Sequence, residues 1–186
     1  MPANFTQDCQ GCPYMGTHHL DERFSDCEGR PLSMEDNSAA VLLIFQSPGE
    51  TEWKTKRPLS SLEEASAGAR FRRAFDKTKT TREGFNITNA VQCYQGKAPT
   101  RGGKAPRDKI PSESARKHCA QWLKRDIQNH DYARIIVFGA VAKRSVRGLD
   151  CFPETKVTYL RHPSGGLSNE KLFAALGEPD HRSDGQ

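Results

Sequence analysis

The residues of this 186-residue sequence whose types could do chemistry are few. Cys9-Gln10-Gly11-Cys12 is a C-x-x-C knuckle, and Cys93 and Cys119 stand singly far along the chain. Four thiolates suit either tetrahedral zinc or an iron–sulfur cluster, and spacing alone does not separate the two. Cys27 and Cys151 are left over, and Cys27 could take the place of one of the four. A C-x-x-C can also serve thiol redox chemistry, but that use expects it between a strand and a helix. Cys9 instead precedes every recognisable strand. Asn89 carries an amide that both donates and accepts hydrogen bonds. His162 can donate a hydrogen bond to developing negative charge, as a neutral or a protonated imidazole. Gln46 and Ser47 could position a water, yet neither is a competent general base unaided, which turns attention to Glu50 and Glu52 beside them.

Four short aliphatic runs must position these groups: 41–45 (VLLIF), 85–89 (FNITN), 134–138 (RIIVF) and 156–160 (KVTYL). Each is nearly continuously apolar and bounded by turn residues, the pattern of strands buried on both faces. Helices are expected between them. Ser61-Leu62-Glu63-Glu64 reads as a capping box opening a helix to about Phe75. Ser112 can cap a helix to about Asn129, with Ala115, Cys119, Trp122, Leu123 and Ile127 near one face. Residues 139–148 form a third helix ended by glycine, and Ser168 can start a fourth that covers Leu172 and Leu176. This alternation predicts an α/β fold: a three-layer α/β/α sandwich on a central, mostly parallel four-stranded sheet. Gln46-Ser47-Pro48-Gly49, Asn89, Gly139 and His162-Pro163-Ser164 each follow or end a strand. In an open parallel sheet those ends form the ligand crevice, so a Gln, an Asn and a His converge at one edge.

We expect a single domain over 1–186, with a cysteine-containing N-terminal segment (1–38), a basic insertion (94–111) and a frayed tail from about 177. The mean hydropathy is −0.76, polar for a globular protein, so the core is thin and the loops long. No apolar run approaches a membrane span. The first residues, MPANFTQDCQGC, offer neither a basic n-region nor an apolar h-region, so the expected setting is cytoplasmic, in a bacterial or phage-related cell. Six cysteines there speak for metal or redox chemistry rather than a disulfide scaffold. Net charge is +5, and the excess is clustered: 97–109 holds five Lys/Arg against Asp108, and 70–82 holds six against Asp76. Such clusters suit a polyanion partner whose phosphates must be neutralised.

Taken together, these residues resemble the uracil-DNA glycosylase superfamily, most closely its iron–sulfur-containing, family 4-like branch. That branch is marked by an N-terminal C-x-x-C, a G-E-x-P-G-x-x-E turn after the first strand, and a P-F-x-G-x-x-G segment. I-T-N with a nearby Cys, a further Cys on the next helix, and H-P-[SA] after the last strand complete it. The matching residues are Cys9 and Cys12; Gln46-Ser47-Pro48-Gly49 with Glu52; Pro58-Leu59 with Ala67-Gly68; Ile87-Thr88-Asn89 with Cys93; Cys119; and His162-Pro163-Ser164. The resemblance implies a DNA glycosylase, a hydrolase of N-glycosyl bonds that flips a base from the stack. It assigns catalysis to His162, Gln46, Ser47 and Asn89, and the base pocket to Pro48, Gly49, Leu59, Asn89, Ser164 and Leu167. Cys9, Cys12, Cys93 and Cys119 would hold a [4Fe–4S] cluster in a structural role, with zinc as the alternative.

Two departures bear on the substrate. Gln46 stands where the branch has Glu, and Leu59 where it has a Phe that stacks on uracil. Base–aromatic stacking is worth about 1–3 kcal/mol, so the pocket is expected to suit a bulkier modified pyrimidine. Hypermodified cytosine of phage DNA is one candidate, which would make the chain a defence enzyme. An ordinary uracil repair enzyme and a catalytically silent binder of DNA or a modified base are the alternatives. DNA is the expected partner of a monomer, tracked by Lys97, Arg101, Lys104, Arg107 and Lys109 on the insertion. Leu167 could wedge into the vacated stack, or simply pack at a helix start.

Overall fold

The computed structural model describes residues 9–14, 31–98, 107–149 and 156–177. Cys27, Cys151, Arg101, Lys104 and the tail beyond Gly177 lie outside these segments.

The four apolar runs form four strands, β1 (Val41–Phe45), β2 (Asn86–Asn89), β3 (Arg134–Phe138) and β4 (Val157–Leu160), in the order β2-β1-β3-β4. All three pairings are parallel. Five helices accompany them: α1 (Glu50–Thr55), α2 (Ala67–Thr78), α3 (Glu113–Gln128), α4 (Ala140–Arg147) and α5 (Asn169–Gly177). Alternation within each apolar strand sorts its side chains to opposite faces. Val41, Leu43 and Phe45 of β1 meet Phe71 and Phe75 of α2 and Leu172 and Leu176 of α5. Leu42 and Ile44 meet Leu123 and Ile127 of α3 and Ala142 and Val146 of α4. Helices therefore cover both faces of a parallel sheet, the three-layer α/β/α arrangement expected from the strand–helix alternation.

Aromatic packing closes the first face near the functional edge. The Phe45 and Phe138 rings stack at 4.8 Å, and Phe71 meets both edge-on at 5.2 and 5.3 Å.

Helix boundaries held where a cap decides them and failed where tertiary contacts do. Ser112 caps α3 by accepting from the Ala115 N–H at 3.1 Å, and all five residues expected on its inner face are buried. The helix expected from Ser61 instead starts at Ala67. Its cap is Ser66, which accepts from the Ala69 N–H at 3.1 Å and donates to the Ser61 carbonyl at 2.9 Å. The Ser61–Glu64 box is thus not a helix start. Helix α1 was not expected at all; only Trp53 in it is buried.

Leu167, weighed as an exposed wedge, is 5% exposed and belongs to the core shared with α2 and α5. It packs as the residue leading into α5. Leu167→Ala should cost about 2–4 kcal/mol of stability by the cavity it leaves, read as a lowered denaturant midpoint. A midpoint unchanged from wild type would show that the side chain bears no packing load.

Candidate active site

The parallel register sets the edge of the sheet. Phe45 pairs with Asn89 and Phe138 with Leu160, while Ile44 pairs with Val137. The last residues of all four strands therefore stand in one row, and Gln46, Gly139 and Arg161-His162 leave from it. The β1–β2 ladder continues past the strands: the Ala90 N–H donates to the Phe45 carbonyl at 2.8 Å and the Val91 N–H to the Gln46 carbonyl at 3.0 Å. This fastens the Gln46-Ser47-Pro48-Gly49 turn beside Asn89.

Hydrogen bonding separates Asn89 from its neighbours on β2. Asn86 accepts from the Asn37 and Ala39 N–H groups and donates to Asp36 and Tyr132. Thr88 donates to Asp126 at 2.5 Å, and Gln92 to the same carboxylate at 3.1 Å. Burial pushes the Asp126 carboxyl up to about 6, against the lowering effect of these two donors. Asn89 is 3% exposed, yet its amide bonds to no described residue. A buried amide ordinarily finds partners within the fold; this one stands at the last position of β2 with its donor and acceptor unused by the described residues.

His162 is seated by glycines. Gly139 has φ +90°, and a Cβ there would lie 3.2–3.6 Å from three atoms of His162, so only glycine lets the ring approach. The Ser164 N–H donates to His162 Nδ1 at 3.2 Å. Nδ1 is thereby an acceptor, and the neutral ring carries its proton on Nε2. Burial lowers the His162 pKa, which favours that neutral form.

Arg70 of α2 holds the loop that follows. Its guanidinium donates to the carbonyls of Pro163 and Leu167 and to Asn169 Oδ1, the last at 2.9 and 3.2 Å. Hydrogen bonds from a charged group contribute roughly 1.5–3 kcal/mol each. In Arg70→Ala, amide exchange at Gly165, whose N–H donates to the His162 carbonyl at 2.8 Å, should therefore speed up about tenfold or more. Exchange at the wild-type rate would remove Arg70 from the loop's support.

Glu52 ties the two walls of the pocket together. Its carboxylate accepts from the Gly49 N–H at 2.7 Å and from the Leu59 N–H; burial outweighs these bonds and raises its pKa, with Asp108 adding to the rise. Leu59 has φ +51° and is 5% exposed, its side chain joining the core beside Phe45 and Phe71. The Pro58-Leu59 turn is braced from outside by Arg82, which donates to both carbonyls and binds Glu35 at 2.6 Å through two nitrogens. Arg57 adds a second bond to Glu35. The two guanidiniums overcome burial and bring Glu35 down to about 2. Arg70 and Arg82, counted as polyanion-facing charge on composition, thus serve the fold. Glu50 is engaged with Lys54 at 3.1 Å on the outer side of α1.

The cysteines meet just beyond the sheet edge. The Cys12 N–H donates to the Cys9 carbonyl at 2.9 Å in a turn at Gly11. Cys93 and Cys119 are buried, Cys9 packs beside Cys119 and Trp122, and Tyr14 joins this cluster to Trp53, Cys93 and Tyr94. Burial, and then the Cys12 and Cys9 thiols, push Cys119 up to about 12; burial, Cys119, Cys12 and Cys9 raise Cys93 as well. Thiols from three segments thus lie near enough to disfavour the negative charge of Cys93 and Cys119. No three His, Cys, Asp or Glu among the described residues converge as they would around one ion.

The base of the insertion is a short antiparallel pairing. Lys97 bridges Asp108, the Ala98 N–H donates to the Arg107 carbonyl at 2.7 Å, and the Lys109 N–H to the Gly96 carbonyl at 2.9 Å. Arg107 and Lys109 are exposed, whereas Lys97 pairs with Asp108 at 2.7 Å. Sequence reasoning missed Arg70, Arg82 and Asp108. The carbonyls the arginines hold are invisible in composition, and Asp108 was counted only as a minor offset to a basic stretch.

Among the described residues no helix is long and apolar enough to cross a membrane. The profile of the uracil DNA glycosylase superfamily matches residues 33–179. No curated protein matches the chain.

Proposed function

The chain belongs to the uracil DNA glycosylase superfamily, and on that premise we propose that it excises a modified pyrimidine larger than uracil from DNA. One observation carries the reading: a buried Asn89 amide unused by the fold, at the same sheet edge as a His162 whose Nδ1 is held as an acceptor. The Asn89 amide reads the edge of a flipped pyrimidine, donating and accepting at once. His162 Nε2–H donates to the negative charge that develops on the departing base as the sugar acquires oxocarbenium character. Gln46 and Ser47 line the water side. Because Leu59 turns its side chain into the core, the Pro58-Leu59 turn offers no aromatic face to the base, and the looser stacking supports the larger substrate. Hypermodified cytosines of phage DNA fit this description, with defence against such phages as the role.

Four cysteine thiols are the donor set of a [4Fe–4S] cluster, and Cys9, Cys12, Cys93 and Cys119 would hold it, the reading we favour over zinc. Such a group would tie the N-terminal knuckle to α3 and to the segment after β2, and compensate four thiolates, of which Cys93 and Cys119 are buried. Purified protein should be brown, absorb broadly near about 400 nm and carry iron; colourless protein with stoichiometric zinc would reject the cluster.

The test of function is base release and abasic-site formation on matched duplexes bearing uracil, hydroxymethylcytosine or glucosylated hydroxymethylcytosine. A modified base should leave fastest. Equal rates for uracil and the modified bases would sink the substrate assignment. Tight binding of DNA without any release would instead favour a silent binder.

A further inference from the structure

We propose that Asp108, carried on the insertion, is the carboxylate that activates the hydrolytic water, taking the place of the missing acid at position 46. The inference rests on the glycosylase reading above. A neutral water attacking C1′ must lose a proton, and a side chain near the turn after β1 has to accept it. Gln46 and Ser47 are poor proton acceptors. Glu50 is paired with Lys54 at 3.1 Å, and the half-buried Glu52 has its carboxylate already accepting from two backbone N–H groups.

Asp108 is paired with a lysine too, but its second oxygen stands against Gly49 of the turn. The paired base of the insertion brings it against the turn, so that a Cβ on Gly49 would stand 3.3 Å from its Oδ2. Lys97 engages the other oxygen, Oδ1, at 2.7 Å, and the side chain remains 39% exposed to solvent. Among the described residues, Lys97 pairs with it and Glu52 lies near it. Glu52 feels its negative charge, which places both carboxylates at one turn. Gly49 follows Gln46 by three residues, so the acid stands at the same turn. The lack of a side chain at position 49 is what admits it.

The step balances. Asp108 Oδ2 takes a proton from water as the water oxygen bonds to C1′; the N-glycosidic bond breaks and its electron pair leaves on the base. His162 Nε2–H stabilises that charge, and the base is finally protonated, which returns Asp108 to its starting state through solvent.

The experiment is single-turnover base release at saturating enzyme, on whichever duplex wild type cleaves fastest, with DNA affinity measured in parallel. Asp108→Asn should slow release about 100-fold or more and leave affinity within about twofold of wild type. Asp108→Ala should be equally slow and recover at least about tenfold in formate, a small carboxylate that can occupy the gap. Wild-type rates in Asp108→Asn would overturn the proposal. So would an Asp108→Ala that stays slow in formate, the behaviour of a residue that only holds the loop through Lys97. Wild type inactive on every duplex would overturn the glycosylase reading itself, a distinct result from an active wild type with indifferent variants.

Discussion

His162→Ala slows base release by about 100- to 1000-fold, the usual loss when one preorganised donor to a developing anion is removed. The magnitude follows from what fixes the ring. Gly139 and Gly165 lie close against His162, and the Ser164 N–H holds Nδ1, so on the proposed mechanism Nε2–H would meet a leaving group with no reorganisation. His162→Gln keeps an N–H donor at similar reach and should recover part of the loss. A His162→Ala rate within a few-fold of wild type would show that the departing base needs no help from this position. The same residue leaves a signature in stability. Burial lowers the folded pKa below the ordinary imidazole value of 6.5, so below 6.5 the unfolded chain binds the extra proton first. The contribution is therefore complete above about 6.5 and lost as pH falls toward the folded value. Wild type should destabilise over that window more steeply than His162→Ala. Glu35 contributes with the same sign at lower pH: its folded value of about 2 makes its share present above about 4.5 and lost below. Asp126 acts oppositely, since its raised value of about 6 costs stability as pH rises from about 4. The difference between wild type and His162→Ala isolates the histidine from both.

The strands were legible because a parallel sheet buried on both faces demands unbroken aliphatic runs, and little else in a polar chain supplies them. Their order at the functional edge followed from connectivity, and with it the meeting of Gln46, Asn89 and His162. Helix α1 was not legible, because six residues with one apolar side chain carry no periodicity; it forms around the bond of Glu52 to Gly49 and the burial of Trp53. Ser61-x-x-Glu64 shows the converse, a local capping pattern that loses to a second serine, Ser66, which caps the helix and holds the Ser61 carbonyl. Charge told a similar story. The sign of the 70–82 cluster was readable, but Arg70 and Arg82 direct it inward to carbonyls and to Glu35. The acid inside the basic insertion became visible only when Asp108 was seen against Gly49.

Gly68→Ala should be the most damaging small substitution in the chain, and its sign separates tertiary from local causes. Glycine is the second residue of α2, and by helix propensity alone alanine there would stabilise by up to about 1 kcal/mol. A Cβ at this position, however, would lie 2.3 Å from the Ser61 carbonyl oxygen and 2.5 Å from that of Leu59. Both are backbone atoms with no rotamer to change. Either the start of α2 or the Pro58-Leu59 turn must move. The turn is held on one side by Glu52 and on the other by Arg82, while α2 carries Arg70, which holds the loop after His162. Strain of this kind costs about 1–3 kcal/mol when the surroundings relax and more when they are pinned. For a chain of this size, roughly 3 kcal/mol lowers Tm by about 6–12 °C. Movement of α2 would also loosen His162, so base release should fall alongside stability. Gly68→Ala as stable as wild type would mean that the turn yields freely and that Glu52 and Arg82 do not clamp it.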